Sequence, residues 1–211
     1  HARGAELFVD AIQAAGATPL DVTRDGVDYL AAGGHKWLMG LEGAGVLTVA
    51  PEAARHLRPH TAGWLSHVDP FAFLVQGEGH LRYDRPFVET ARLLETGTAP
   101  AAGYVALEAS LTLLLDLGVE AIWGHANAYL DALEAALVAR GFTSLRSASP
   151  EGRSCVLGVL PPEGGGLDAP GWQRALAQHG VVTSCPDGVL RFAPHWPNDR
   201  ARELPAVCAA L

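Results

Sequence analysis

Cysteine is scarce in this 211-residue chain: Cys155, Cys185 and Cys208 stand far apart and show no CxxC spacing. Any disulfide scheme leaves one of the three unpaired, and the spacing argues against a zinc ribbon. No metal site is expected, and the usage suits a reducing cytoplasm. Basic charge is also thin. Fifteen Lys and Arg against 23 Asp and Glu leave a formal net charge of -8. The single basic cluster, Arg55 to His60, is too short to form a stripe, which argues against a nucleic-acid partner. Long apolar runs are missing as well. The richest stretch, "AAGYVALEASLTLLLDLGVEAIW", is interrupted by Glu108, Asp116 and Glu120 and does not read as a membrane span. The start lacks methionine and carries no secretory-leader pattern. "HARGAELFVDA" reads as the tail of a helix running into a strand, and the expectation is that a preceding part is missing.

What is present suits a globular α/β protein. At 49% hydrophobic and 18% charged, the chain can bury a substantial core. Leu7 to Asp10 is a short apolar run ending in an acid, the form of a buried parallel strand that delivers a carboxylate at its C-terminal edge. A turn over Ile12 to Ala15 follows, then a second short strand in "ATPLDV", a turn at Arg24 to Gly26, and strands over Val27 to Ala32 and Gly45 to Val49. Pro51 to Thr98 is loop-like, with aromatic anchors. Loops of that length usually carry function. Helical periodicity then runs from Pro100 to Gly118 and from Val119 to Arg140. Beyond it lie two short strands, "TSLRSA" and "SCVLGVL", a helix capped by Gly180, a hairpin turning at Pro186 to Gly188, and a closing helix from Asp199 to Leu211. This predicts a large-domain portion over residues 1–118 and a smaller α+β domain over residues 119–211.

One stretch does not fit plain scaffolding. "AAGGHKWLMGLEGAGVLTV" sets His35 and Lys36 between two apolar runs, with Gly33, Gly34 and Gly40 around them. A lysine at a turn packed on a core loses hydration. Taken alone, the stretch reads first as a surface loop with a snorkelling lysine. The same sequence also carries "LFVDAIQAAGATPLDV" before it, "ETGT" after it and "LRFAPHWPN" near the end. In order and spacing these four blocks resemble the class V aminotransferase family of fold-type-I pyridoxal-phosphate enzymes, which includes cysteine desulfurases, selenocysteine lyases and isopenicillin-N-epimerase-like proteins.

The resemblance implies an α/β fold of type I: a mixed, mostly parallel sheet, incomplete at the N-terminus, with a smaller C-terminal α+β domain. It implies pyridoxal 5'-phosphate as cofactor, held as a Schiff base on Lys36, the one catalytic residue. Lysine suits that role, since an aldehyde needs an amine and a desolvated lysine near other cations becomes nucleophilic. Asp10 would face the pyridine nitrogen, Gln13 the phenolic oxygen and His35 the phosphate. Thr98 of "ETGT" would reach the phosphate bound by a neighbouring subunit, which makes a homodimer the expected assembly. Arg191 would clamp an amino acid's α-carboxylate. Blander roles stand beside these: Asp10 or Thr98 as helix or turn caps, His35 as a structural histidine.

Some positions depart from the family pattern. Gly33 stands where many relatives carry a phosphate-binding serine, and Ala193 and Pro197 replace a usual Ser and Tyr beside Arg191, His195 and Asn198. Cys185 stands only six residues before Arg191, closer than the family's catalytic cysteine, so persulfide chemistry is not supported. Trp64 matches a Gly-Trp of several members and is as readily a loop anchor. The expected activity is a pyridoxal-phosphate enzyme acting on a small amino compound, an aminotransferase first and a lyase or epimerase next. The alternatives are a truncated, non-catalytic remnant kept for dimerisation or binding, or an unrelated α/β binding protein.

Overall fold

Three short strands near the N-terminus form one sheet in the order β1, β2, β3: Phe8–Asp10, Tyr29–Gly33 and Gly45–Val49. β1 and β2 run parallel, with Asp10 opposite Ala31, while β2 and β3 are antiparallel, with Gly33 opposite Gly45. The computed structural model describes all residues 1–211. It divides into two compact units, His1–Ala15 with Leu20–Leu114, and Gly16–Pro19 with Leu115–Leu211. The sheet belongs to the first unit. In β2 the alternation holds, with Leu30 and Ala32 buried and their neighbours half-buried.

The strand expected in "ATPLDV" does not form. The Asp21 carboxylate captures the backbone N–H groups of Thr23 at 3.0 Å and Arg24 at 2.9 Å, and the Asp25 carboxylate takes the N–H of Asp21. Side chains that hold the backbone this way favour a turn over an extended strand.

The remainder of the first unit contains short helices α1 (Pro51–Ala54) and α2 (Ala72–Val75), two 3-10 turns over Trp64–Ser66 and Ala91–Leu94, and the long helix α3 (Ala101–Leu117), whose last three residues lie in the second unit. The loop region is held by Ser66, which is fully buried. Its hydroxyl donates to the Leu93 carbonyl at 2.8 Å and accepts from the Gly63 N–H. Trp64 packs edge-on against Phe71 and Phe73 at 5.3 and 5.9 Å, a loop anchor. Gly63 is the tightest point: any Cβ there would collide with the Thr96 carbonyl. Gly63→Ala is therefore expected to dislodge the segment carrying Thr96 to Thr98. Limited proteolysis should then cut within residues 95–98 well before the parent chain is cut there.

The second unit contains α4 (Val119–Val138), β4 (Thr143–Ser144), β5 (Leu157–Leu160), α5 (Ala169–Gln178), β6 (Leu190–Phe192) and α6 (Arg200–Ala210). Its three strands form an antiparallel sheet in the order β4, β5, β6. α4 buries Ile122, Ala126, Tyr129, Leu130, Leu133 and Leu137, a spacing of three and four that lays one stripe on the core. Each fully buried leucine contributes roughly 1.5–3 kcal/mol. Asp168 and Asp199 cap α5 and α6 by accepting backbone N–H bonds.

Arg146, whose side chain is only 2% exposed, pairs with Asp131 at 2.6 Å and Glu134 at 2.9 Å. Burial alone would raise the Glu134 carboxyl, but the Ser144 hydroxyl and Arg146 outweigh it and hold it below its ordinary 4.5. A carboxyl with a lowered folded pKa stabilises the fold above its unfolded value, and that stabilisation is lost as pH falls through the folded one. Thermal midpoints are thus expected to drop as pH is lowered from 4.5, and Glu134→Gln should flatten that drop.

Candidate active site at the sheet edge

Because β1 and β2 are parallel, their C-terminal ends emerge on the same edge. β1 ends at Asp10; β2 ends at Gly33 and runs directly into the loop that bears His35 and Lys36. Catalytic and ligand-binding groups of open α/β sheets gather at this kind of edge.

The lysine loop is closed by its own backbone. Gly34 N–H donates to the Ala44 carbonyl at 2.8 Å, Gly40 N–H to the Gly34 carbonyl at 2.7 Å, and Met39 N–H to the Lys36 carbonyl at 2.9 Å. Met39 takes φ 58°, a left-handed conformation uncommon outside glycine. The loop rests on α3: a Cβ at Gly34 or Gly40 would meet Leu107 Cδ1 at 3.1 or 3.0 Å, and at Gly34 the Ala44 carbonyl at 2.9 Å. Trp37 and Leu38 are buried, while His35 and Lys36 are exposed. The desolvated lysine anticipated from sequence is therefore corrected. The loop buries the two residues after Lys36 and sends the lysine itself outward, its aliphatic stem on a rigid base.

Lys36 is the only lysine in the sequence; every other member of the fifteen Lys and Arg is arginine. Its neighbours in the first unit are drawn together by specific contacts. Asp10 Oδ1 accepts the Ile12 N–H at 3.0 Å, fixing the carboxylate at the strand end and leaving Oδ2 unbonded. Gln13 Oε1 accepts from the Trp37 indole N–H at 3.1 Å, tying the turn after β1 to the loop after β2. At Gly33 a Cβ would meet the His35 ring at 3.0 Å and Ile12 at 3.1 Å, so glycine here lets the imidazole fold back over the backbone.

A hollow of about 790 Å³ lies against this sheet, lined among others by Asp10, Ile12, Gly33, Arg92, Glu95 and Tyr104. Lys36, His35 and Gln13 do not line it, and neither does Thr98, which is exposed. Nor does Thr98 cap α3, whose first turn is closed by the Tyr104 N–H on the Pro100 carbonyl. Sequence reasoning gave no role to Trp37, although it directly follows the lysine, or to Arg92; Glu95 stood in the "ETGT" block and Leu107 in the apolar periodicity of the long helix without either being placed at this edge.

Arg191 lies in the second unit. In β6 Leu190 and Phe192 turn into the core and Arg191 takes the opposite face, half-buried. Cys155 is 1% exposed, and burial pushes its thiol up to about 11, which removes it as a nucleophile near neutral pH. Cys185 packs against the core of the same unit.

Across all 211 residues the backbone follows fold-type-I pyridoxal-phosphate enzymes. It superposes on the cysteine desulfurase CsdA of Escherichia coli with a TM-score of 0.81 and 24% identity, covering 100% of this chain and 51% of that one. It superposes equally on the cystine C-S lyase C-DES, solved with its product cysteine persulfide, with a TM-score of 0.80 and 22% identity over 97% of this chain and 51% of that one. The family profile for class-V aminotransferases matches residues 1–161, and the chain belongs to that family, which uses pyridoxal phosphate.

Among curated relatives, an uncharacterized aminotransferase of Bacillus subtilis, YcbU, is 32% identical over 205 residues, 94% of this chain and 49% of its own length. The isopenicillin N epimerase of Streptomyces clavuligerus is 31% identical over 206 residues, 93% of this chain and 50% of its own. The chain thus spans about half the length of the curated relatives it matches. No helix is long and apolar enough to cross a membrane.

Proposed function

We propose that this chain supplies the lysine-bearing part of a pyridoxal-phosphate enzyme that acts on a small amino compound, most simply by transamination, with elimination or epimerisation as variants on the same first step. The observation that carries the reading is the parallel β1–β2 pair. It delivers a fixed carboxylate, Asp10, and the sequence's single lysine to one sheet edge, cross-tied by the Gln13–Trp37 bond.

The residues present fit the cofactor: one carboxylate oxygen is unbonded, one amine is exposed on a rigid loop, and glycine backbone permits close approach of a flat ring. When bound, pyridoxal phosphate supplies an aldehyde and an electron-accepting ring. Lys36 Nζ would be the amine that holds that aldehyde, and the same nitrogen would serve as general base at the substrate's α-carbon. Asp10 Oδ2 would accept from the pyridine nitrogen and keep it protonated. Gln13, through its amide N–H₂, donates to the phenolic oxygen while its Oε1 stays on Trp37. His35 binds the phosphate, and Arg191 takes the substrate carboxylate. Thr98, exposed and away from its own chain's hollow, suits a contact with the neighbouring subunit of a homodimer. With Cys155 buried and Cys185 packed, persulfide transfer is no part of the reading.

Borohydride reduction in the presence of pyridoxal phosphate, followed by peptide mapping, tests it. The pyridoxyl adduct is expected on the peptide containing Lys36. Reduction that marks only the N-terminal amine, or nothing, overturns the proposal.

A further inference from the structure

We infer that Ser184 is a positioning residue for the carboxylate-binding guanidinium of Arg191, an inference that rests on the role proposed for Arg191 above. The hairpin that carries both residues reverses over Pro186–Gly188, where Asp187 and Gly188 take φ 50° and 79°. This brings Ser184 opposite Arg191, bonded both ways through the backbone: Arg191 N–H to the Ser184 carbonyl at 2.8 Å and Ser184 N–H to the Arg191 carbonyl at 3.2 Å. The side chains then meet on one face, and Arg191 Nε donates to Ser184 Oγ at 2.8 Å.

No other protein group holds the guanidinium. It forms no ion pair, and its two terminal nitrogens are unbonded. On its other flank the strand neighbour is Gly158, which has no side chain to offer. A guanidinium has two faces for bidentate contact, one through Nε and one through the paired terminal nitrogens. By occupying Nε, Ser184 closes the first face and leaves the terminal pair as the fork for a carboxylate. Ser184 also restricts the arginine's rotamers, so less freedom is lost when the anion binds.

The test follows the Arg191 side-chain ¹⁵N resonances in the full chain while acetate is titrated as the carboxylate probe. In the parent chain the Arg191 Nε–H is expected to exchange slowly with water and the terminal nitrogens to shift as acetate binds. Ser184→Ala should accelerate Nε–H exchange and weaken acetate binding about fivefold, the net worth of one hydrogen bond. Ser184→Thr, which keeps the hydroxyl, should restore both. Equal acetate affinity in Ser184→Ala and the parent chain would overturn the positioning role while leaving Arg191 as the clamp. If acetate moves no Arg191 resonance in the parent chain, the clamp itself fails and the inference falls with it. Because the backbone bonds of the bridge do not involve the hydroxyl, unchanged backbone amide shifts elsewhere in β5 and β6 identify a folded variant.

Discussion

Replacing Lys36 with alanine should abolish covalent attachment of pyridoxal phosphate and lower turnover by about 10³-fold, the scale of a lost general base. The experiment is unusually clean in this sequence, because the variant contains no lysine at all. Borohydride can then trap the cofactor only on the N-terminal amine, and mass spectrometry distinguishes that position from the Lys36 peptide. The arginine-only remainder of the basic residues cannot substitute, since a guanidinium stays protonated and does not condense with an aldehyde under these conditions. Added methylamine should recover part of the turnover by standing in for the missing side chain. Unchanged cofactor binding and turnover in the variant would show that the lysine loop is not the attachment point.

The second large effect is on stability and originates beneath the site. Leu107 is 2% exposed and reaches both glycines that close the lysine loop. Leu107→Ala removes the surface on which that loop rests. Because Gly34 and Gly40 have no side chains with which to fill the space, a cavity results. A loss of about 2–5 kcal/mol is expected for such a truncation, a large share of the roughly 5–15 kcal/mol that holds a typical domain together. Urea unfolding of the two proteins measures it. Leu107→Met, which conserves volume, should cost less than about 1.5 kcal/mol. An unchanged midpoint in Leu107→Ala would mean that the loop stands without α3.

Local chemistry explains which features were readable in advance. β1 and β3 and the two long helices follow from apolar runs and periodicity bounded by Asp10, Gly45, Gly118 and Gly141, and the class of cofactor from the order of four sequence blocks. The strand assigned to "ATPLDV" failed because its Pro-Leu-Asp-Val alternation mimics a strand, while Asp21 and Asp25 hold the backbone in turns. The exposure of Lys36 agrees with the surface-loop reading of its stretch and not with the desolvated one. The apolar runs on both sides suggested desolvation, but Gly34 and Gly40 serve the contact with Leu107, a residue 71 positions after the lysine, while Lys36 itself is exposed. The Gln13–Trp37 bond and the lining of the hollow by Arg92 and Glu95 likewise depend on segments far apart in the chain, whose meeting no local window encodes.

The closed loop from Gly34 to Gly40 has a mechanical corollary. Its backbone bonds fix the lysine's Cα, while the side chain beyond it is exposed. An amine mounted this way works like a crane on a bolted base: the boom can sweep between two stations while the foundation stays still. The role proposed for Lys36 would require that kind of travel, and rotations about single bonds would provide it with no rearrangement of strands or helices.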